Sequence, residues 1–189
     1  MIRIGILGEI GSGKSYVASN FGYPVFNADY EVSKLYKKNR KTFKLLKKKL
    51  PKYISSFPIN KNEITQAILS NNVNLKKIIS VVHVEIRKAL KLFLTKNRKK
   101  KIVILDIPLL LENKINNKND VLIFVEAKKT EIEKRLKKRV NFNRKLINKF
   151  KKIQFSSTYK RRKSHFIIKN NFKKKSLNSS IKRILNKIL

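Results

Sequence analysis

The chain has 189 residues, 41% of them hydrophobic, which is enough to bury one core and sets the expectation of a single domain. It contains no cysteine, which excludes disulfides, thiolate catalysis and cysteine-bound metals. Lysine and arginine number 48 against 11 acidic residues, a net charge of +37 that attracts polyanions. The basic residues run from about Lys34 onward and are not gathered on one element, and Lys, Asn and Ile rise together as A/T-rich coding makes them rise. The charge is therefore read as compositional, with no specific nucleic acid expected. The opening MIRIGILGE turns polar too early for a signal peptide, and no apolar run reaches membrane length. The expectation is a soluble, cytoplasmic chain without membrane contact, monomeric or weakly homo-oligomeric.

In chain order, IRIGIL is a short apolar strand that ends in a glycine-rich loop, and helical spacing follows from Lys14 to about Phe21. YPVF reads as a second buried strand. ADYEVSKLYKK is helical, with Val32, Leu35 and Tyr36 on one face. Residues 40 to 98 are expected to be mostly helical, with breaks near Pro51 and Pro58. KIVILDI, with an unbroken apolar run from Ile102 to Leu105, reads as a strand buried on both faces of a parallel sheet, and DVLIFVEA as a fourth strand. TEIEKRLKKRV is helical with Ile132, Leu136 and Val140 on one face, and SHFIIK is a short fifth strand. In the last segment Leu177, Ile181, Ile184, Leu185 and Ile188 form one stripe, read as core rather than membrane-facing. Strands alternating with helices predict an α/β fold around a mostly parallel five-stranded sheet.

Gly8 to Ser15, GEIGSGKS, matches G-x-x-x-x-G-K-[ST], directly after a strand and directly before a helix. Such a loop must curl until several N–H groups aim at one phosphate. Glycine permits the positive φ angles and removes side chains that would block the approach. Three of the five glycines in the chain lie here. The nucleoside-triphosphate-binding set expected at the motif and the residue after it is Gly11, Ser12, Gly13, Lys14, Ser15 and Tyr16, with Lys14 on the β- and γ-phosphates and the Ser15 hydroxyl on Mg²⁺. A GTPase would need a base-reading N-K-x-D. Asn117 to Asp120 comes close, but it precedes a strand instead of following one and reads as a turn.

A small kinase is the remaining class, and it needs a group to receive the acceptor hydroxyl's proton. Asp29 follows the second strand, at the carboxyl edge of the sheet where ligands of open α/β sheets bind. A helix N-cap is the competing role for it. Asp106 ends the third strand in the position of a carboxylate that holds magnesium directly or through water, beside Ser15.

GEIGSGKS, NADYEVSKLY, VHVEIR, DIPLLLEN and HFIIKNN stand in the order and approximate spacing of the dephospho-CoA kinase family, which the chain resembles from Ile4 to Asn171. The resemblance implies a P-loop kinase three-layer sandwich over 1–189, with a helical acceptor-side insertion at about 34–98 and a lid at about 139–160. It implies ATP as donor, the ribose 3′-hydroxyl of dephospho-CoA as acceptor, and coenzyme A as product. Asp29 matches the family's general base, and Pro108 to Glu112 a segment lining the acceptor side. Arg139 and Arg144, flanking VNFN, resemble lid arginines whose planar cations suit a phosphoryl transition state. Gln154 and Lys160 match family-like positions downstream of the lid. Four departures stand out: Glu9 and Val84 in place of glycine and proline, Asn27 in place of the first aspartate of D-A-D, and Ser164-His165 in place of an Ala-Asp pair. With Val84 beside it, His83 is expected to pack or orient a helix. Two other readings stay open: a nucleoside or nucleotide kinase, told apart by its acceptor, and a basic NTP-dependent nucleic-acid-binding protein, told apart by salt-resistant RNA binding.

Overall fold

The computed structural model describes residues 1–139 and 142–189; Val140 and Asn141, which the expected helix face and the VNFN segment include, lie outside them. The elements begin β1 (Ile2–Gly8), α1 (Lys14–Ser19), β2 (Val25–Asn27), α2 (Ala28–Lys38) and α3 (Arg40–Lys49). They continue α4 (Lys61–Ser70), α5 (Asn72–Lys96), β3 (Ile102–Asp106), β4 (Val121–Glu126) and α6 (Lys129–Lys137). The remainder are α7 (Arg144–Ile153), α8 (Ser157–Arg162), β5 (Phe166–Lys169) and α9 (Lys174–Ile188). The chain divides into two compact units: Met1–Asn27, Asn97–Asn143 and Phe150–Leu189 form the first, and Ala28–Lys96 with Arg144–Lys149 the second.

The first unit holds the sheet, in the order β2-β3-β1-β4-β5, every pairing parallel. β1 is central, and the chain leaves it toward β2 and β3 on one side and toward β4 and β5 on the other. A loop that begins at the carboxyl end of such a strand opens at the point where the order reverses. The apolar continuity of KIVILDI matches its burial: all five residues of β3 are buried. YPVF departs from expectation. β2 is a three-residue edge strand with only Phe26 buried, because β3 alone flanks it.

One face of the sheet presents Ile4, Ile6, Ile102, Ile104, Ile123, Val125 and Ile168 to Val17, Ala18 and Phe21 and to Leu177, Ile181 and Ile184 of α9. Leu185 and Ile188 pack against the same cluster, so the stripe on α9 is core. Among the described residues no helix is long and apolar enough to cross a membrane. Gly5, on the other face, is kept side-chain-free by Leu110, whose Cδ2 would lie 2.6 Å from an added Cβ.

The Asn117–Asp120 turn is structural. The Asp120 N–H donates to the Asn117 carbonyl at 3.2 Å, and the Asp120 carboxylate accepts from the Asn117 N–H and pairs with Arg3 of β1 at 3.0 Å. Burial pushes the Asp120 carboxyl up, against the pull of the Asn117 N–H and of Arg3. A carboxylate committed to β1 in this way does not read a base.

The second unit packs α2, α3 and α4 against the long α5, and asparagines mark where helices begin. Asn39 caps α3 by accepting from the Thr42 N–H, and Asn60 caps α4 by accepting from Asn62, each at 2.8 Å. The breaks near Pro51 and Pro58 fall between α3 and α4 as expected. Val84, standing in place of proline, keeps its N–H and so allows α5 to run 25 residues without a break.

His83 lies half-buried on α5, and burial first, then Arg87 one turn on, holds its pKa below the usual 6.5. The fold therefore binds this proton less readily than the unfolded chain does. Its full stability is present above about pH 6.5 and falls as the pH drops through that value toward the lower folded pKa. Thermal melts between pH 7.5 and 5 should show this slope in the wild type and a flatter one in His83→Asn.

Candidate active site

Gly8 ends β1, and the chain turns through Glu9–Gly13 into α1. The loop closes on itself through the Ser12 N–H donating to the Glu9 carbonyl at 3.2 Å and the Val17 N–H to Gly13 at 2.9 Å. Gly11 and Gly13 sit at φ 91° and 90°, in the left-handed region where a side chain is strained. They are also crowded. A Cβ on Gly11 would meet Ile132 and Leu136 of α6 at 3.0 Å, and one on Gly13 would meet the Asn170 amide nitrogen at 2.4 Å. Glycine is required here twice over, by conformation and by packing.

Lys14 points back along the loop, its ammonium donating to the carbonyls of Gly8 at 3.2 Å and Glu9 at 2.8 Å. The cation is thus held over the loop that anionic phosphates would enter. Ser15 is exposed in the first turn of α1, whereas Ser12 is buried. Tyr16 packs against the sheet's hydrophobic cluster and is half-buried, which makes it a brace for the loop.

The parallel register of β2 and β3 sets Asn27 beside Asp106. The Asn27 amide donates to Asp106 Oδ2 at 2.7 Å, and Asp106 is 3% exposed. An aspartate at 27 would face a second carboxylate here; asparagine turns that repulsion into a hydrogen bond. A hard divalent cation would find oxygen donors in the Ser15 hydroxyl and the Asp106 carboxylate. Among the described residues no group of three or more His, Asp or Glu side chains could hold a metal alone. A cation held by these two residues would have to take most of its ligands from phosphate and water.

Asp29 is the second residue of α2, so it lies within the first turn and is not the N-cap. It is exposed, and among the described residues no hydrogen bond or ion pair holds its carboxylate. Arg139 and Arg144 are both exposed, Arg139 just beyond α6 in the first unit and Arg144 at the start of α7 in the second.

Glu9 points away from the loop's centre: its carboxylate accepts from the Ser157 hydroxyl of α8 at 2.7 Å. Glu112, at the end of PLLLE, is buried against α8 as well. Its Oε1 receives the Lys160 ammonium at 2.9 Å and the Phe155 N–H at 2.8 Å, and the side chains are 8% and 3% exposed. Gln154 also reaches Lys160, at 3.4 Å. His165, standing in place of an aspartate, is bonded to β4 through Leu122. Its Nδ1 accepts the Leu122 N–H at 2.9 Å while its backbone N–H donates to the Leu122 carbonyl.

Three contributors were not legible as such. Asn170, in the quoted HFIIKNN, is buried and donates to the Ser12 carbonyl at 2.9 Å, tying the end of β5 to the phosphate loop. The Arg135 guanidinium lies 4.1 Å over the Phe172 ring, and that ring borders Gly13. Ser157 lies in a stretch with neither apolar periodicity nor a motif.

The family model described as dephospho-CoA kinase matches residues 2–176. The dephospho-CoA kinase of Wolbachia pipientis wMel is 33% identical over 98% of this chain and 97% of its own, and that of Bartonella henselae is 33% identical over 87% of each. A crystal structure from Thermus thermophilus superposes with a TM-score of 0.80 at 27% identity, covering 100% of this chain and 98% of that one. The dephospho-CoA kinase of Campylobacter jejuni, at 20% identity and a TM-score of 0.63 over 98% and 96%, shares the fold. With its phosphate loop in place and nearly its whole length matched, the chain belongs to the dephospho-CoA kinase family.

Proposed function

We propose that this chain transfers the γ-phosphoryl group of ATP to the ribose 3′-hydroxyl of dephospho-CoA, giving coenzyme A and ADP, the last step of coenzyme A synthesis. The family match over residues 2–176 is the observation that carries this reading. The intact phosphate loop, with Lys14 held over it, agrees with it.

In the proposed reaction the amides of Gly11 to Ser15 cradle the donor phosphates. Lys14 leaves the Gly8 and Glu9 carbonyls for the β- and γ-phosphates. Asp29 takes the proton of the 3′-hydroxyl as its oxygen bonds to the γ-phosphorus and the bond to the β,γ-bridging oxygen breaks. Arg139 and Arg144 offset the charge spread over the migrating group, and closure of the lid around them excludes water. Mg²⁺, held through Ser15 and Asp106, would neutralise phosphate charge when bound. The helical insertion, about residues 34–98, supplies the acceptor side. The enzyme is read as cytoplasmic, monomeric or weakly homo-oligomeric, and without a specific nucleic-acid partner.

ADP release with MgATP, offered dephospho-CoA beside AMP, CMP, UMP and adenosine, tests the reading. Turnover with dephospho-CoA alone, and coenzyme A as the product, is the expected result. Turnover with a nucleotide acceptor instead would void the acceptor assignment. Lys14→Ala should lower kcat/KM for ATP by about 10²- to 10³-fold, the scale of losing one charged donor to a transition-state oxyanion. Steady-state kinetics with ATP varied at saturating dephospho-CoA would measure it.

A further inference from the structure

Glu9 brings an acidic side chain into a loop built to receive phosphates, five residues before the lysine that serves them. Its backbone is fixed within the loop, its carbonyl accepting from the Lys14 ammonium at 2.8 Å and from the Ser12 N–H at 3.2 Å. Its carboxylate is fixed from outside, by the Ser157 hydroxyl at 2.7 Å. Ser157 opens α8, and Lys160, three residues on and so on the same helical face, anchors that helix to Glu112 at 2.9 Å. Ser156 caps the same turn by accepting from the Tyr159 N–H at 3.1 Å. The Ser157 hydroxyl therefore stands on a braced helix end.

The Lys14 ammonium already touches Glu9's own carbonyl, so without that hydroxyl it is a cation to which the Glu9 carboxylate can turn. A Glu9–Lys14 ion pair would withdraw the phosphate-binding cation and set a negative charge at the phosphates' entrance. We propose that Ser157 is a positioning residue for nucleotide binding, holding the Glu9 carboxylate off Lys14 and away from the incoming phosphates. This rests on the reading of the loop as the ATP site, not on the identity of the acceptor.

The test is a double-mutant cycle on the full chain, with the Kd for AMP-PNP measured calorimetrically in MgCl₂ and no acceptor present. Wrong acceptor assignment would leave this readout untouched. Ser157→Ala should weaken binding roughly 5- to 20-fold, the scale of one misplaced charge at a half-exposed site. Glu9→Gln has no charge to misplace and should bind at least as tightly as the wild type. Adding Ser157→Ala to Glu9→Gln should then change the Kd by less than about twofold, because the two effects act through one contact. A Kd for Ser157→Ala within about twofold of wild type overturns the proposal. So does an equal loss in Glu9→Gln/Ser157→Ala, since a merely structural serine would weaken binding whatever stands at position 9.

Discussion

Asp29→Asn is expected to lower kcat by about 10³-fold, within the range of lost general-base catalysis, while KM for ATP stays within about twofold. Asparagine has the same shape and keeps an oxygen toward the acceptor, but it has no basic lone pair with which to take the proton. Nothing in the fold depends on the carboxylate: it is exposed and, among the described residues, unpaired. Its structural contribution is confined to the favourable placement of an acid in the first turn of α2, on the order of 0.3–1 kcal/mol. The melting temperature should therefore move by no more than about 4 °C. Rapid-quench measurement of the phosphoryl-transfer step in wild type and variant would read the effect directly. A variant that turns over at the wild-type rate removes Asp29 from the mechanism.

Lys160→Met is expected to have the largest effect on stability, a loss of about 3 kcal/mol, because it leaves the buried Glu112 carboxylate without its cation. The Phe155 N–H remains on Oε1, which places the loss at the lower end of the range for a broken buried pair. For a chain of this size the melting temperature would fall by about 10 °C. Glu112→Gln added to Lys160→Met should recover most of that fall. The amide oxygen still accepts from Phe155, and no unpaired charge stays buried. Calorimetric melts of the two variants check this. A single variant that melts within about 2 °C of wild type, or a double variant no better than the single, would show that the pair does not hold α8 to the PLLLE segment.

Much of the sheet was readable because burial on both faces leaves a mark that needs no partner to interpret: β3 and β4 carry unbroken apolar runs up to their last residue, and β1 is interrupted only by Arg3. The helices with one apolar stripe, α6 and α9, were equally plain. β2 was misjudged as buried because an apolar run of four residues carries no record of how many strands flank it. α7 and α8 left little trace. α7 has no fully buried residue among those described, and α8 is six residues long with Lys160 as its buried member, so neither shows a core-facing pattern.

The phosphate loop was determined by sequence alone, since its function depends on backbone freedom and contiguous residues, and both are written locally as GEIGSGKS. Asp106 and Asp29 were picked out by their places at strand ends, which is also local information. Only the tertiary structure decided what each departure does. Asn27 donates to Asp106 across β2 and β3, His165 accepts from the Leu122 N–H, and Glu9 is drawn off to Ser157, 148 residues away. It also decided that Lys160, one lysine among many basic residues, is the buried partner of Glu112. A polar side chain's partner is set by which segments the fold brings within about 3 Å, and no spacing along the chain encodes that distance.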